Sequence, residues 1–213
     1  MRHVVLVRHG ESELNAINHS RRVYCGQIET PLTALGRQQA ALAADRLAAL
    51  DYLRLARAIS SPLTRAHETL QIMLQRLARQ IDLLPPAAGL KERSHGEFEG
   101  RGEEDVFAEF PHYRDDPSYS AFMNHFEQCA PGGENLATVT ARAWPIIEQL
   151  NQNGGGDLLI VSHYNTIRCL VGRALRLPND AVLRMRIYNA QPIVLRWNPG
   201  CELIEGLDIL GSN

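Results

Sequence analysis

Leu6-Val7-Arg8-His9-Gly10-Glu11-Ser12 joins the end of an apolar run to an arginine, a histidine and a glycine. Val4 to Val7 are apolar without interruption, which suits a strand covered on both faces better than one with a wet side. Strands of that kind belong to open α/β sheets, whose ligands sit beyond the carboxyl ends of the strands. Arg8, His9 and Gly10 fall at that place. Arg8 offers a planar fork of donors for phosphate or carboxylate oxygens, and His9 a ring nitrogen that is nucleophilic when neutral. Gly10 lets the backbone come close. Alone, the three residues fit a surface turn as well as an anion site.

The same junction recurs. Leu158 to Val161 form a buried run that delivers Ser162-His163 to the start of a helix. Between the two junctions, Ala56 to Ser60 read as a strand and Ser61-Pro62 as the start of a helix with proline in its first turn, where Arg65 also falls. By local pattern Arg65 is a surface arginine on an amphipathic helix. Asn15 to Arg22 read as a polar loop ending in Arg21-Arg22, a pair that suits either a solvated surface or the gathering of an anion. Thr33 caps a packing helix carrying Leu35, Leu42, Ala43, Leu47 and Leu50. Ile81 to Leu84 form a short strand, and a long helix runs from Pro131-Gly132-Gly133-Glu134 to about Leu150. Ile187 to Trp197 and Glu202 to Leu207 read as antiparallel strands around Asn198-Pro199-Gly200. The expected fold is a three-layer α/β/α sandwich with a mostly parallel sheet. The stretch from Ser94 to Cys129, rich in charge and aromatic rings, is expected to form a small helical lid, with short helices at Glu103 to Phe110 and Ser118 to Phe126.

At 213 residues the chain suits one domain, 1–213, rather than two. A net charge of -2 gives no general basic field, which speaks against nucleic acid or an anionic membrane as partner. Lys91 is the only lysine, so nearly all positive charge is arginine. Cys25, Cys129, Cys169 and Cys201 are far apart and form no CxxC pair, so neither zinc nor a disulfide framework is expected. Without a long apolar segment, the expectation is a cytoplasmic protein.

Four separated segments point further. Arg8-His9-Gly10-Glu11-Ser12 is followed by Asn15; Cys25-Gly26 by Thr30, Leu32 and Gly36. Ser60-Ser61-Pro62-Leu63-Thr64-Arg65-Ala66 with Thr69 precedes Leu90-Lys91-Glu92-Arg93, Gly96 and Glu99-Gly100. Val161-Ser162-His163 comes last, with Asn165 and Arg168. In these residues and their order the chain resembles the histidine phosphatase superfamily, also called phosphoglycerate mutase-like. It departs from that pattern at Tyr164, where glycine is usual, and in the longer spacer before Cys25-Gly26.

The resemblance implies a phosphomonoester hydrolase that works through a phosphohistidine on His9. Arg8, Arg65 and His163 would surround the transferring phosphoryl group, and Glu92 would protonate the leaving oxygen and later deprotonate a water. Arg8, Asn15, Cys25, Gly26, Arg65, Tyr164 and Asn165 would contact the substrate, a small phosphorylated metabolite. Glu11, Glu97 and Glu99 compete with Glu92 for the proton-transfer role. Arginines stand in for a cation in such a site, so no metal and no cofactor are expected. Two other readings stay open: a cofactor-dependent phosphoglycerate mutase, and a phosphate-binding module with weak catalysis. The oligomeric state is open too, a homodimer included.

Overall fold

The computed structural model describes residues 2–115, 125–152, 154–198 and 200–207. Its elements, in chain order, are β1 (Arg2–Arg8), α1 (Glu13–Ile17), α2 (Ala34–Ala48), β2 (Leu55–Ser60), α3 (Thr64–Leu77), β3 (Asp82–Leu83), α4 (Glu103–Glu109) and α5 (His112–Asp115). There follow α6 (Leu136–Gln152), β4 (Asp157–Ser162), α7 (Tyr164–Ala174), α8 (Asn179–Arg184), β5 (Pro192–Asn198) and β6 (Gly200–Glu205). The sheet order is β3-β2-β4-β1-β5-β6. β1, β2, β3 and β4 are parallel, and β5 and β6 run antiparallel at one edge.

The uninterrupted apolar run of β1 serves two cores, because successive side chains of a strand point to opposite faces. Val5 and Val7 pack with Ala40, Ala43, Ala44 and Leu47 of α2 and Leu70 and Met73 of α3. Val4 and Leu6 pack with Ala143 and Ile147 of α6 and Ile167 and Leu170 of α7. That alternation produces the three layers. Arg8 lies in register with Ser162, and Val161 with Ser60. The carboxyl ends of β1, β4 and β2 therefore meet at one edge, and each leads into a residue of the expected site.

Four local expectations are corrected. Residues 13–17 form a one-turn helix rather than loop, because Ser12 caps it reciprocally with Asn15. Leu35 and Leu42 of α2 face outward, 48% and 55% exposed; the buried stripe is Gly36, Ala40, Ala43, Ala44 and Leu47, whose small side chains let the helix lie close. Helix α3 begins at Thr64 instead of Pro62, since the Ser61 hydroxyl accepts from Leu63 N and also meets His163. Strand β5 starts at Pro192, not Ile187, because the backbone of residues 185–190 is taken up by contacts to the site described below. Of the stretch expected to form a lid, the described part holds α4 and packs in a cluster of Tyr24, Phe98, Val106 and Ala130 with Phe107, Phe110 and Tyr113. The helix expected at Ser118 to Phe126 lies, but for its last two residues, outside the described residues.

A close backbone approach fixes the loop after β1. A Cβ on Gly10 would stand 2.2 Å from Gly36 O, and one on Gly36 would stand 2.0 Å from Glu11 O. Neither opposing atom is a side chain able to swing away. Gly36→Ala is expected to destabilise the fold by about 1–3 kcal/mol and to displace the Gly10-Glu11 backbone beside His9. Gly155, with nothing within 4 Å of an added Cβ, is the control, its alanine variant staying within about 0.5 kcal/mol of wild type in urea unfolding.

Candidate active site

At the sheet edge, His9 N donates to Ser162 O at 3.0 Å and Ser61 N to Val161 O at 3.0 Å. The side chains of His9 and His163 consequently face one another, ring centroids 5.1 Å apart. His9 is buried, with Nδ1 2.7 Å from Gly10 O. A carbonyl can only accept, so the Nδ1 proton points to it and Nε2 keeps its lone pair. Burial, followed by the nearby Arg65 and Arg8 charges, holds the His9 ring well below the ordinary histidine range. Both effects favour the neutral ring, the form with a free lone pair. Burial likewise lowers His163, again with Arg65 next; its Nε2 lies 2.8 Å from Ser61 Oγ, while its buried Nδ1 has no partner among the described residues.

Arg65 is fixed by all three of its nitrogens. Nε donates to His9 Nε2 at 3.2 Å, Nη1 to Ile28 O at 2.7 Å and Nη2 to Gly26 O at 2.8 Å. Gly26 has φ of +44°, and a Cβ there would meet Glu99 Oε1 at 2.2 Å, so glycine is needed for this carbonyl to reach Arg65. Arg8 donates from Nη1 to Ile187 O at 2.8 Å. Burial draws both guanidinium groups below their ordinary value, against the opposing pull of Glu92.

Glu92 reaches the site on a braced segment. Ser162 Oγ donates to Leu90 O at 2.7 Å, Thr166 Oγ1 to Lys91 O at 2.6 Å, and Arg142 to the carbonyls of Gly89, Lys91 and Glu92 at 2.6, 3.0 and 3.0 Å. The Glu92 carboxylate accepts from Arg93 N at 2.8 Å and from Asn165 N at 3.1 Å, at the amino end of α7. The competing carboxylates are engaged elsewhere. Glu11 accepts from Thr33 Oγ1 at 2.8 Å, Glu99 from Ser94 Oγ and His95 N at 2.9 Å each, and Glu97 is exposed.

A cavity of about 190 Å³ opens over these groups. Of the residues singled out from sequence, it is lined by Arg8, His9, Asn15, Cys25, Gly26, Arg65 and Glu92. His163, Tyr164 and Asn165 are not in its lining: the His163 ring faces that of His9, Asn165 holds Glu92 through its backbone, and Tyr164 packs against Arg8. Arg22 is at the rim, paired with Glu103 at 2.9 Å, and Arg21 pairs with Asp105. Sequence reasoning missed Asn18, Tyr24 and His95 in the wall. It also missed Arg142 and Asn189, whose Nδ2 donates to His9 O at 2.9 Å. None lies in a motif. His95, its ring 5.7 Å from that of Tyr24, is lowered to about 3 by burial, then by Arg93 and Arg22.

Comparison with known proteins covers nearly the whole chain. The family model described as histidine phosphatase superfamily (branch 1) matches residues 4–209. The 2,3-bisphosphoglycerate-dependent phosphoglycerate mutase of Rhizobium rhizogenes is 31% identical, over 98% of this chain and 96% of its own. The crystal structure of the alpha-ribazole phosphatase from Shigella flexneri superposes with a TM-score of 0.79 at 26% identity, covering 99% of each chain. A mycobacterial glucosyl-3-phosphoglycerate phosphatase structure shares the fold with a TM-score of 0.77 at 24% identity, over 96% of this chain and 98% of its own.

The three neutral, buried histidines make stability depend on pH. An unfolded histidine binds a proton below about pH 6.5, whereas His9, His95 and His163 stay unprotonated in the fold. Unfolding then takes up protons, and stability falls as pH drops through that value. Each such histidine contributes a slope of about 1.4 kcal/mol per pH unit once its unfolded form is protonated. Urea unfolding between pH 7.5 and 5 checks this; an unchanged stability across the window would show that the three rings protonate in the folded state.

Proposed function

The chain belongs to the histidine phosphatase superfamily, and within it we propose a phosphomonoester hydrolase that forms a phosphohistidine on His9. The observation that carries the reading is His9 itself: neutral, pinned at Nδ1 by Gly10 O, its Nε2 beside Arg65 in a cavity that Arg8 and Glu92 also line.

Nε2 attacks phosphorus in line, the bond to the ester oxygen breaks, and Glu92 gives that oxygen its proton. Arg8 and Arg65 stabilise the charge on the equatorial oxygens as the group transfers. His163 joins them as a neutral donor: with Ser61 O–H directed to Nε2, its Nδ1 carries the proton. In the second step the Glu92 carboxylate takes a proton from water, the water oxygen bonds to phosphorus, and the P–N bond returns its electrons to Nε2. Asn15, Cys25 and Gly26 complete the phosphate pocket, and the segment from Ser94 to Cys129 acts as its lid. Arginine side chains fill the role a cation has elsewhere.

Phosphoglycerate mutase is the second reading, favoured by the 31% identical relative. A mutase must also hold the carboxylate of phosphoglycerate, which calls for a cation beyond those on the phosphate. The stretch from Ser94 to Cys129 contains two arginines and no lysine, and both arginines are engaged, Arg101 with Glu109 and Arg114 with Glu104. Arg22 at the rim is paired as well. The charge pattern favours hydrolysis.

Phosphate release from p-nitrophenyl phosphate and a panel of natural monoesters, with EDTA present throughout, tests the reading. Release by wild type and none by His9→Ala is expected. Phosphoryl exchange between phosphoglycerates without release would establish the mutase instead, and phosphate binding with neither activity would leave a binding module. Glu92→Gln is expected to slow the phosphorylation burst by about 10²–10⁴-fold with alkyl esters and far less with p-nitrophenyl phosphate, whose leaving group needs little protonation. Equal slowing of both would exclude Glu92 as the acid.

A further inference from the structure

Arg8 and Arg65 are held by different means. Arg65 spends all three nitrogens on fixed acceptors, one of them His9. Among the described residues Arg8 makes one side-chain hydrogen bond, Nη1 to Ile187 O, and its buried Nε has no partner. A guanidinium on one hydrogen bond can rotate about it. Its second constraint is the ring of Tyr164, whose centroid lies 5.3 Å from Arg8 Cζ. That is within cation–π range, where desolvation strengthens the attraction.

Tyr164 is itself well fixed. It opens α7; its hydroxyl donates to Met185 O at 2.9 Å, and Arg168, one turn on, places its Cζ 5.2 Å from the ring centroid. Met185 and Ile187 are two residues apart, so ring and guanidinium are tied to one short segment. The result is a closed frame: Arg8 to Ile187, along the chain to Met185, to the Tyr164 hydroxyl, and through the ring back to Arg8.

We infer that Tyr164 is a positioning residue that fixes the plane of Arg8 while leaving its remaining donors free for the phosphoryl oxygens. A carboxylate in the same place would hold Arg8 too, but would occupy those donors and cancel the charge an anionic ligand needs. A ring face supplies orientation without doing either. The inference rests on the phosphoryl-transfer reading for its consequence, though not for its geometry.

The test is therefore binding of inorganic phosphate and orthovanadate, measured by calorimetry beside steady-state kinetics, in Tyr164→Phe, Tyr164→Leu and Tyr164→Met, each also combined with Arg8→Gln. Tyr164→Phe keeps the ring and is expected to bind within about twofold of wild type, the cation–π contact being retained. Tyr164→Leu is expected to weaken anion binding and raise KM by roughly tenfold, with kcat less affected. It should add nothing on the Arg8→Gln background, because its effect passes through Arg8. Wild-type affinity in Tyr164→Leu, an equal loss in Tyr164→Phe, or a loss undiminished by Arg8→Gln would overturn the inference. Unfolding of both the Leu and Met variants would overturn it in favour of a packing role. A wild type that binds phosphate but never transfers it would count against the proposed function alone, leaving the brace to be judged by affinity.

Discussion

Two guanidinium groups at the edge of one sheet, Arg65 buried and Arg8 half-buried, are the constraint to which the surrounding structure answers. A buried charge is costly unless it is paired and hydrogen-bonded. Arg8 and Arg65 line a cavity in which Glu92 is the one carboxylate in the wall among the described residues. The remaining compensation comes from backbone carbonyls, those of Gly26, Ile28 and Ile187. Carbonyl dipoles hold a cation in place without cancelling it. The pocket is thus left with positive charge that a phosphate can complete, and the same charge, added to burial, keeps His9 and His163 neutral.

Each of those carbonyls must be delivered by a chain segment with no freedom to drift, which explains features that seem remote from chemistry. Gly26 takes a left-handed conformation so that its oxygen meets Arg65. Gly10 and Gly36 let the loop after β1 lie on the start of α2. Residues 185–190 forgo strand pairing: Met185 O accepts from Tyr164, Ile187 O from Arg8, Asn189 donates to His9 O, and Ala190 N donates to Arg8 O at 2.8 Å. Arg142 brings Glu92 in from the opposite layer by gathering three consecutive-segment carbonyls and pairing with Glu134. The layers are built by apolar alternation, but the site is built by polar closure between loops.

That division decides how much could be read from the sequence. The apolar runs of β1 and β4 announced a buried parallel sheet, and the residues ending them announced its edge, because strand periodicity and the position of a chain break are local properties. Arg8, His9, Arg65 and Glu92 were legible through four ordered motifs, and the structure gathers them around one cavity. What escaped was non-local. The outward turn of Leu35 and Leu42 depends on which face of α2 meets the sheet, and small alanines won that contest over larger leucines. Asn189 and Arg142 act through hydrogen bonds to backbone atoms far along the chain, which leave no spacing to recognise. Tyr164 was visible as a departure, yet whether its ring faced the ligand or an arginine depended on where Met185 fell.

The fate of a phosphohistidine in such a pocket turns on what can stand beside it next. Water needs only room and a base, and Glu92, the base in the proposed reading, is held by two backbone amides that belong to different segments. A phosphorylated acceptor needs more, since it arrives with charges of its own that must find cations. The arginines at the rim and in the described part of the lid are already matched to carboxylates, Arg22 to Glu103, Arg101 to Glu109 and Arg114 to Glu104. Exposed pairs of this kind are individually weak. Their effect among the described residues is to balance the rim locally, so that an incoming second anion has a carboxylate to displace before it meets an arginine. On the proposed hydrolase reading, a pocket cationic at its base and balanced at its mouth takes one phosphate and leaves water as the group that removes it.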